Sequence, residues 1–570
     1  MAIPALGSGG AVLSYQECFN GNGGGCASND NPGLGNADAV AVSPDGKSVY
    51  VASQSDSGVV DFDRNASTGA LTYEGCYTSE SSGCAVNNLP SMVDAQGVAV
   101  SPDGKSVYVT SFSEGSVNHF ERNTETGGLT FKDCVSSRSS GCGSGDEVPG
   151  LSGAWGVAVS PDGKSVYVAA NVREAIVSFS RNETTGSLTD EGCLAVHNVG
   201  CGTGNEAAPG VVGPTDIAVS PDGDNVYVAG GVPGSSGSLS TFNRSVTGAL
   251  TYKGCASGAI EACAETGDES LVDATGVALS PDGKSVYVAA ESSNAVTRFD
   301  RSATSGALTY QGCLSGAPTG CAENDVTGLK GAFGLAVSPD GKSVYVVSVA
   351  GHDNALVRLE RDTVTGALSV GECFTHNAAG ETPCGAIHVQ TGLAGLGGAE
   401  RVAASPDGKN VYVAALSESA VSVFGSAIGN GSRNTLTVEK TGSGSGTVTS
   451  MPGGIECGGA CSHTYPDGTR VTLSAAAAAG SGFSGWSGAS CTGTGACELT
   501  IASDITVTAT FTTAVAGGAG NEANAGSQQP GSANGPTPTP HKKPPKCKKG
   551  FRKKTVRGKT RCVKRKKHMH

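Results

Sequence analysis

The segment SPDG, set within VAVSPDGKSVYVA, occurs at Ser43, Ser101, Ser160, Ser220, Ser280, Ser338 and Ser405, at intervals of 58, 59, 60, 60, 58 and 67 residues. A unit of about sixty residues that returns seven times is repeat architecture, in which each supersecondary element buries its apolar face only against its neighbours. Within one unit the pattern predicts four short strands, at 97–100, 106–110, 116–120 and 129–134, rich in β-branched and aromatic residues. Pro102, Asp103 and Gly104 between the first two supply a preset φ, a side-chain cap and tolerance of positive φ, which makes a tight hairpin. Four antiparallel strands, seven times over, describe an all-β fold, a seven-bladed β-propeller.

The ends of the repeat region fit a closed ring. GAVLSYQECF at Gly10 matches the fourth strand of later units, such as GALTYEGCY at Gly69, but no first three strands precede it. The seventh unit stops after its third strand, SAVSVF at Ser419. The N-terminal strand is therefore expected to complete the last blade, which removes an open sheet edge, and the propeller should occupy residues 1–427.

Twenty cysteines bear on compartment. Seven pairs recur at one place in the unit: Cys18/Cys26, Cys76/Cys84, Cys134/Cys142, Cys193/Cys201, Cys255/Cys263, Cys313/Cys321 and Cys373/Cys384. Each joins the end of a fourth strand to the loop after it, and closing so small a loop stabilises by roughly 2 to 3 kcal/mol on the chain-entropy model. Zinc ligands come at closer spacing and converge in fours, whereas pairs spread around a ring cannot converge. Disulfides, and with them an extracellular or cell-surface location, are the expectation, with connectivity within or between blades left open. No metal or other cofactor is expected. No apolar run approaches the ~18 residues of a membrane span or resembles a signal-peptide core, so neither a transmembrane segment nor an export signal is expected within these residues.

Turns linking strands one to two and three to four share one rim and look alike in nearly every unit. The other connections share the opposite rim and vary, which is where binding is expected on a uniform scaffold. Just before each first strand, the position facing the central channel is Asp38, Gln96, Trp155, Thr215, Thr275, Phe333 and Glu400 in turn. The next position is Ala39, Gly97, Gly156, Asp216, Gly276, Gly334 and Arg401. Two columns of mixed aromatic, acidic, basic and hydroxyl residues suit a ligand pocket with apolar walls and a few convergent polar groups. The alternative is a channel plugged by Trp155 and Phe333. The ligand would be a small molecule, a carbohydrate or a protein.

SPDGKSVYVA, SxxVxxFxRN and TGALTYxGC together resemble the YVTN-type and lactonase-type seven-bladed β-propellers, and the likeness spans the first 427 residues. Its motifs belong to the scaffold and are shared by non-enzymatic members. The resemblance implies lactone chemistry by Arg, Glu and His at the channel mouth, and only Glu400 and Arg401 fall at matching strand-start positions. A histidine base would have to come from a variable-rim loop, as His352, His376 or His388. The chain carries no GxSxG elbow, HExxH or Walker loop, and the SPDG aspartate reads as a turn residue rather than a calcium ligand.

After a linker at 428–434, residues 435–513 read as a small all-β domain with Phe483, Trp486 and Phe511 as its core and with Cys457/Cys461 and Cys491/Cys497 as staples. GTVTS, YPDGTRVTL, GWSG and TVTATF resemble the InlB-B-like bacterial repeat, which implies display or adhesion. Residues 514–541 form a Gly/Ala/Pro spacer. The tail, 542–570, carries 15 Lys and Arg and no acids, against 23 basic and 51 acidic residues in the rest of the chain. Cys547/Cys562 would close a hairpin there. Such a charge suits an anionic envelope polymer or lipid headgroups, while a disulfide-rich chain meets little nucleic acid, and none is expected as a partner. Two functions follow: an exported, surface-held propeller that binds a ligand on its variable rim, or a lactonase-like hydrolase.

Overall fold

The computed structural model describes residues 13–21, 26, 31–79, 83–84, 86, 89–138, 142, 147–196, 201, 207–317, 321, 326, 328–349, 353–376, 389–426, 434–451, 455, 457, 461–465, 469–489, 491–501, 503–513, 551–556 and 559–564. Its backbone falls into two compact units, Met1–Ala514 and Val515–His570. Among the described residues there is no α-helix, and one 3-10 turn, Pro149–Leu151, is the only helical element.

Seven antiparallel sheets make up the propeller. Blade 1 is Ala37–Val42, Ser48–Ser53, Gly58–Arg64 and Leu71–Thr78, paired in that order. Second strands such as Ser48–Ser53 are buried along their whole length, as sheets packed on both faces require. Blade 7 is built from Ala399–Ala404, Asn410–Ala415 and Ala420–Ser426, with Leu13–Asn20 as its fourth strand. The opening strand runs antiparallel to the last, from Leu13 opposite Ser426 to Asn20 opposite Ala420. Innermost strands touch one another around the full circle, blade 7's against blade 1's. The Leu13 N–H donates to the Glu372 carboxylate at 2.9 Å, which a buried Arg358 also holds at 2.9 Å.

Neighbouring blades are clasped by a unit that the sequence shows as two unrelated turns. Arg122, at the end of a third strand, reaches back to blade 1. Its Nη2 lies 3.0 Å from Asp45 of the SPDG turn, and its Nε donates to the Tyr50 hydroxyl at 2.7 Å. That hydroxyl in turn donates to Gly127 O at 2.6 Å. The same clasp joins Arg64 to Asp407, Arg181 to Asp103, Arg244 to Asp162, Arg301 to Asp222 and Arg361 to Asp282, at 2.7–3.1 Å. The SPDG aspartate is therefore a turn residue and also half of an inter-blade ion pair, which the turn reading alone misses. At the seam between blades 6 and 7 Ser426 stands where other units carry arginine, and Asp340 has Lys342 at 3.9 Å instead.

The disulfides lie within blades. Cys18–Cys26, Cys76–Cys84, Cys134–Cys142, Cys193–Cys201, Cys255–Cys263 and Cys313–Cys321 are formed. Cys373 is also disulfide-bonded, while Cys384 lies outside the described residues. Among the described residues five of these loops return parallel to the fourth strand they left, as at Tyr77 beside Val86 or Ala256 beside Ala264. The bridge pins that return.

The small β domain has a four-stranded and a three-stranded sheet formed by strands between Asn434 and Thr513. Phe483 meets Trp486 and Phe511 with ring centroids 5.0 and 5.2 Å apart, beside the disulfides Cys457–Cys461 and Cys491–Cys497.

In the second unit Phe551–Val556 pairs with Lys559–Lys564 as an antiparallel hairpin. The hairpin expected in the tail is thus present as a backbone ladder. Cys562 stands on its second strand opposite Lys553, in a ladder that runs from Val556 opposite Lys559 outward. Cys547 lies outside the described residues, and with it the Cys547/Cys562 pairing that the sequence reading expects.

Candidate functional site

Every innermost strand breaks register at one place. The shift falls between Ala37 and Ala39, Ala95 and Gly97, Ala154 and Val157, Pro214 and Asp216, Ala274 and Gly276, Ala332 and Gly334, and Ala399 and Arg401. The residues skipped include Asp38, Gln96, Trp155, Thr215, Thr275, Phe333 and Glu400. A bulge leaves its extra residue out of the ladder and re-aims its side chain, so seven bulges turn the first column into a ring at one level of the channel.

The second column has a packing cause at its glycines. A Cβ on Gly156 would meet Thr215 O at 2.7 Å, and one on Gly276 would meet Phe333 O at 2.6 Å. Added to Gly97 or Gly334 it would run into the carbonyl oxygens of Trp155 and Glu400. First strands approach so closely that only glycine fits, leaving Ala39, Asp216 and Arg401 as the departures.

Two hydroxyls in the ring are already engaged. Thr215 Oγ1 donates to the Ala274 and Thr275 carbonyls at 3.2 Å, and Thr275 Oγ1 to Phe333 O at 2.8 Å. Other polar atoms are not. Gln96, 4% exposed, donates through Nε2 to Asp94 Oδ1 at 3.1 Å, but its Oε1 is buried without a partner. Trp155 packs edge to face on Phe112 with centroids 5.6 Å apart, and its Nε1 has no acceptor.

Closure of the ring brings Asp38 of blade 1 against Glu400 of blade 7, and the two carboxyls share a hydrogen bond. Asp38 is 1% exposed with Oδ1 otherwise unpartnered. Burial raises its carboxyl well above the usual range, and the charge on Glu400 raises it further. Burial also pushes Glu400 up to about 7, with Arg401 opposing and Glu291 adding to the rise. Arg401 sets its guanidinium over the Phe333 ring, 4.9 Å from the centroid, and leaves Nη2 buried without a partner. Asp216 accepts from the N–H groups of Ile217 at 2.9 Å and Val277 at 3.0 Å; burial still raises it, against the pull of Arg401.

Of the rim histidines, His376 is exposed and its Nδ1 lies 3.1 Å from Leu393 O and 3.4 Å from Glu418. His352 and His388 lie outside the described residues. Glu400 and Arg401 thus stand with Asp38, which the sequence places only among lining residues. Glu291, on the second-to-third connection of blade 5, escapes the sequence reading entirely, because it lies in neither column.

The family model described as lactonase, 7-bladed beta-propeller matches residues 95–199 and 274–384. That described as divergent InlB B-repeat domain matches 436–515. These matches bear out both resemblances read from the motifs. No curated protein matches the chain. Among solved structures, a 6-phosphogluconolactonase-like protein of Bacteroides uniformis aligns at 18% identity over 58% of this chain and 83% of its own, with a TM-score of 0.42. A periplasmic gluconolactonase of Pseudomonas aeruginosa aligns at 18% over 59% and 84%, TM-score 0.42. The hydrazine synthase of Kuenenia stuttgartiensis aligns at 20% over 69% and 96%, TM-score 0.42. None of the three bears on what this chain binds or does.

Proposed function

We propose that the chain is an exported, envelope-associated propeller that binds a small ligand at the channel mouth on its variable rim and is held at the envelope by its basic tail. Four buried polar atoms without partners carry this reading: Asp38 Oδ1, Gln96 Oε1 and Trp155 Nε1 on the bulge ring, and Arg401 Nη2 in the column beside it. Buried polar groups are normally satisfied, and a set left open around one channel suits a ligand. Disulfides in every blade and a bacterial repeat domain support an extracytoplasmic setting. Among the described residues no helix is long and apolar enough to cross a membrane. A thermal-shift screen of small sugars, organic acids and amines is expected to find compounds that raise the melting midpoint of the wild type but not of Gln96→Leu. A screen in which no compound separates the two overturns the channel-mouth site.

The Asp38–Glu400 pair beside Arg401 favours a second reading, lactone hydrolysis. Glu400, with a carboxyl that titrates near neutrality, would take a proton from water as that water attacks the ring carbonyl. Arg401 Nη2 would donate to the oxyanion, and as the oxyanion collapses the ring C–O bond would break, its leaving oxygen taking the proton from Glu400 to give a hydroxy acid. Wild type is then expected to open lactones at a rate lost by about a hundredfold or more in Glu400→Ala. Equal rates in the two proteins exclude it.

A further inference from the structure

From the charge and the open hydrogen bonds of the channel mouth, we infer that its ligand is a protonated amine that also carries hydroxyl groups, as an amino sugar does. This rests on the binding reading above. Asp38, Asp216 and Glu400 all feel the one guanidinium of Arg401, while Glu291 acts on Glu400, Asp94 on Asp38 and Asp273 on Glu291. Burial favours the protonated form of these carboxyls and a docked ammonium favours the charged form, so the group accepts a cation by giving up protons and gains nothing from an anion. The cation that acts on Asp38, Asp216 and Glu400 is Arg401.

The open atoms agree independently. Gln96 Oε1 and Asp38 Oδ1 are acceptors on side chains 4% and 1% exposed, and each needs a donor, which an ammonium group supplies three times over. Trp155 Nε1 and Arg401 Nη2 are donors in need of acceptors, a role that hydroxyl oxygens on the same ligand fill. The site already holds one cation, since Arg401 lies over the Phe333 face at 4.9 Å. Part of its negative charge is thereby offset from within, and the remainder is left for the ligand.

The test is titration calorimetry of the full oxidised chain with glucosamine, N-acetylglucosamine and gluconate, three related sugars differing in charge. Glucosamine is expected to bind about tenfold or more tighter than either of the others. Glu291→Gln should weaken glucosamine several-fold, and Arg401→Gln, which removes the competing cation, should strengthen it. Gluconate or N-acetylglucosamine binding as tightly as glucosamine would overturn the amine inference and leave a ligand site standing. Absence of heat with all three overturns the inference, and a thermal-shift screen that also fails takes the site with it. Should Arg401→Gln not fold, the wild-type order of the three sugars still decides.

Discussion

Asp61 is a buried carboxyl that neither the clasps nor the channel mouth uses. It is 1% exposed, neither of its oxygens has a hydrogen-bond partner, and it lies on the third strand of blade 1 opposite Tyr50. Burial pushes it up to about 7, with Asp63 and Glu74 adding and Arg122 opposing. A raised acid pKa means that the folded chain holds this proton between about pH 4 and 7 while the unfolded chain releases it. Stability therefore falls as pH rises through that window, by at most roughly 4 kcal/mol. Asp61→Asn should add about 2 to 4 kcal/mol at pH 8 and almost nothing at pH 4, read from urea unfolding at the two pH values. An equal change at both would refute it. The SPDG aspartates act in the opposite sense. Burial raises Asp45, but the Ser43 hydroxyl, the Lys47 N–H and Arg122 outweigh it and hold its carboxyl below the usual range. Stability from that pair is present above the ordinary carboxylate pKa and is lost on acidification.

At the scale of the strand, what could be read from the sequence was local. Blade count, hairpin turns and cysteine spacing each lie within a few dozen residues, and each appears in the structure. The clasp of Arg122 on Asp45 spans 77 positions and reads as two turn motifs. Its one signal was the single unit in which Ser426 replaces arginine. Bulges were invisible because register is a relation between two strands. Glycine at the second column reads in the sequence as part of a varied pocket lining, whereas it answers to a neighbour's carbonyl. Gly334→Ala tests this: its Cβ would enter the space of Glu400 O, so the innermost strands of blades 6 and 7 must part. A loss of about 2 to 4 kcal/mol is expected, together with loss of any ligand response at the channel mouth. Gly75, where a Cβ meets nothing within 4 Å, is the control and should change stability little.

For the whole molecule, the candidate site exists only because the ring closes, since Asp38 and Glu400 come from its first and last blades. Columns named the residues, but no pattern in the sequence could show that these two carboxyls share a hydrogen bond. The division of charge, with 15 basic residues in the last thirty and a strongly acidic remainder, argues for a separate anchoring role. Deleting residues 541–570 is expected to release the protein from cells, and raised salt should release the intact chain, because screening shortens the reach of exposed charge. Retention of the truncated protein, measured by immunoblot of cells and medium, would discard the anchor.

The linker that leads to the C-terminal segments departs from Ser426, the end of a strand with hydrogen-bonded neighbours on both sides. Pulling on those segments loads that strand along its own axis, so two ladders of bonds resist in parallel and none can be unzipped singly. A ring closed by seating its first strand beside its last therefore meets such a pull as shear.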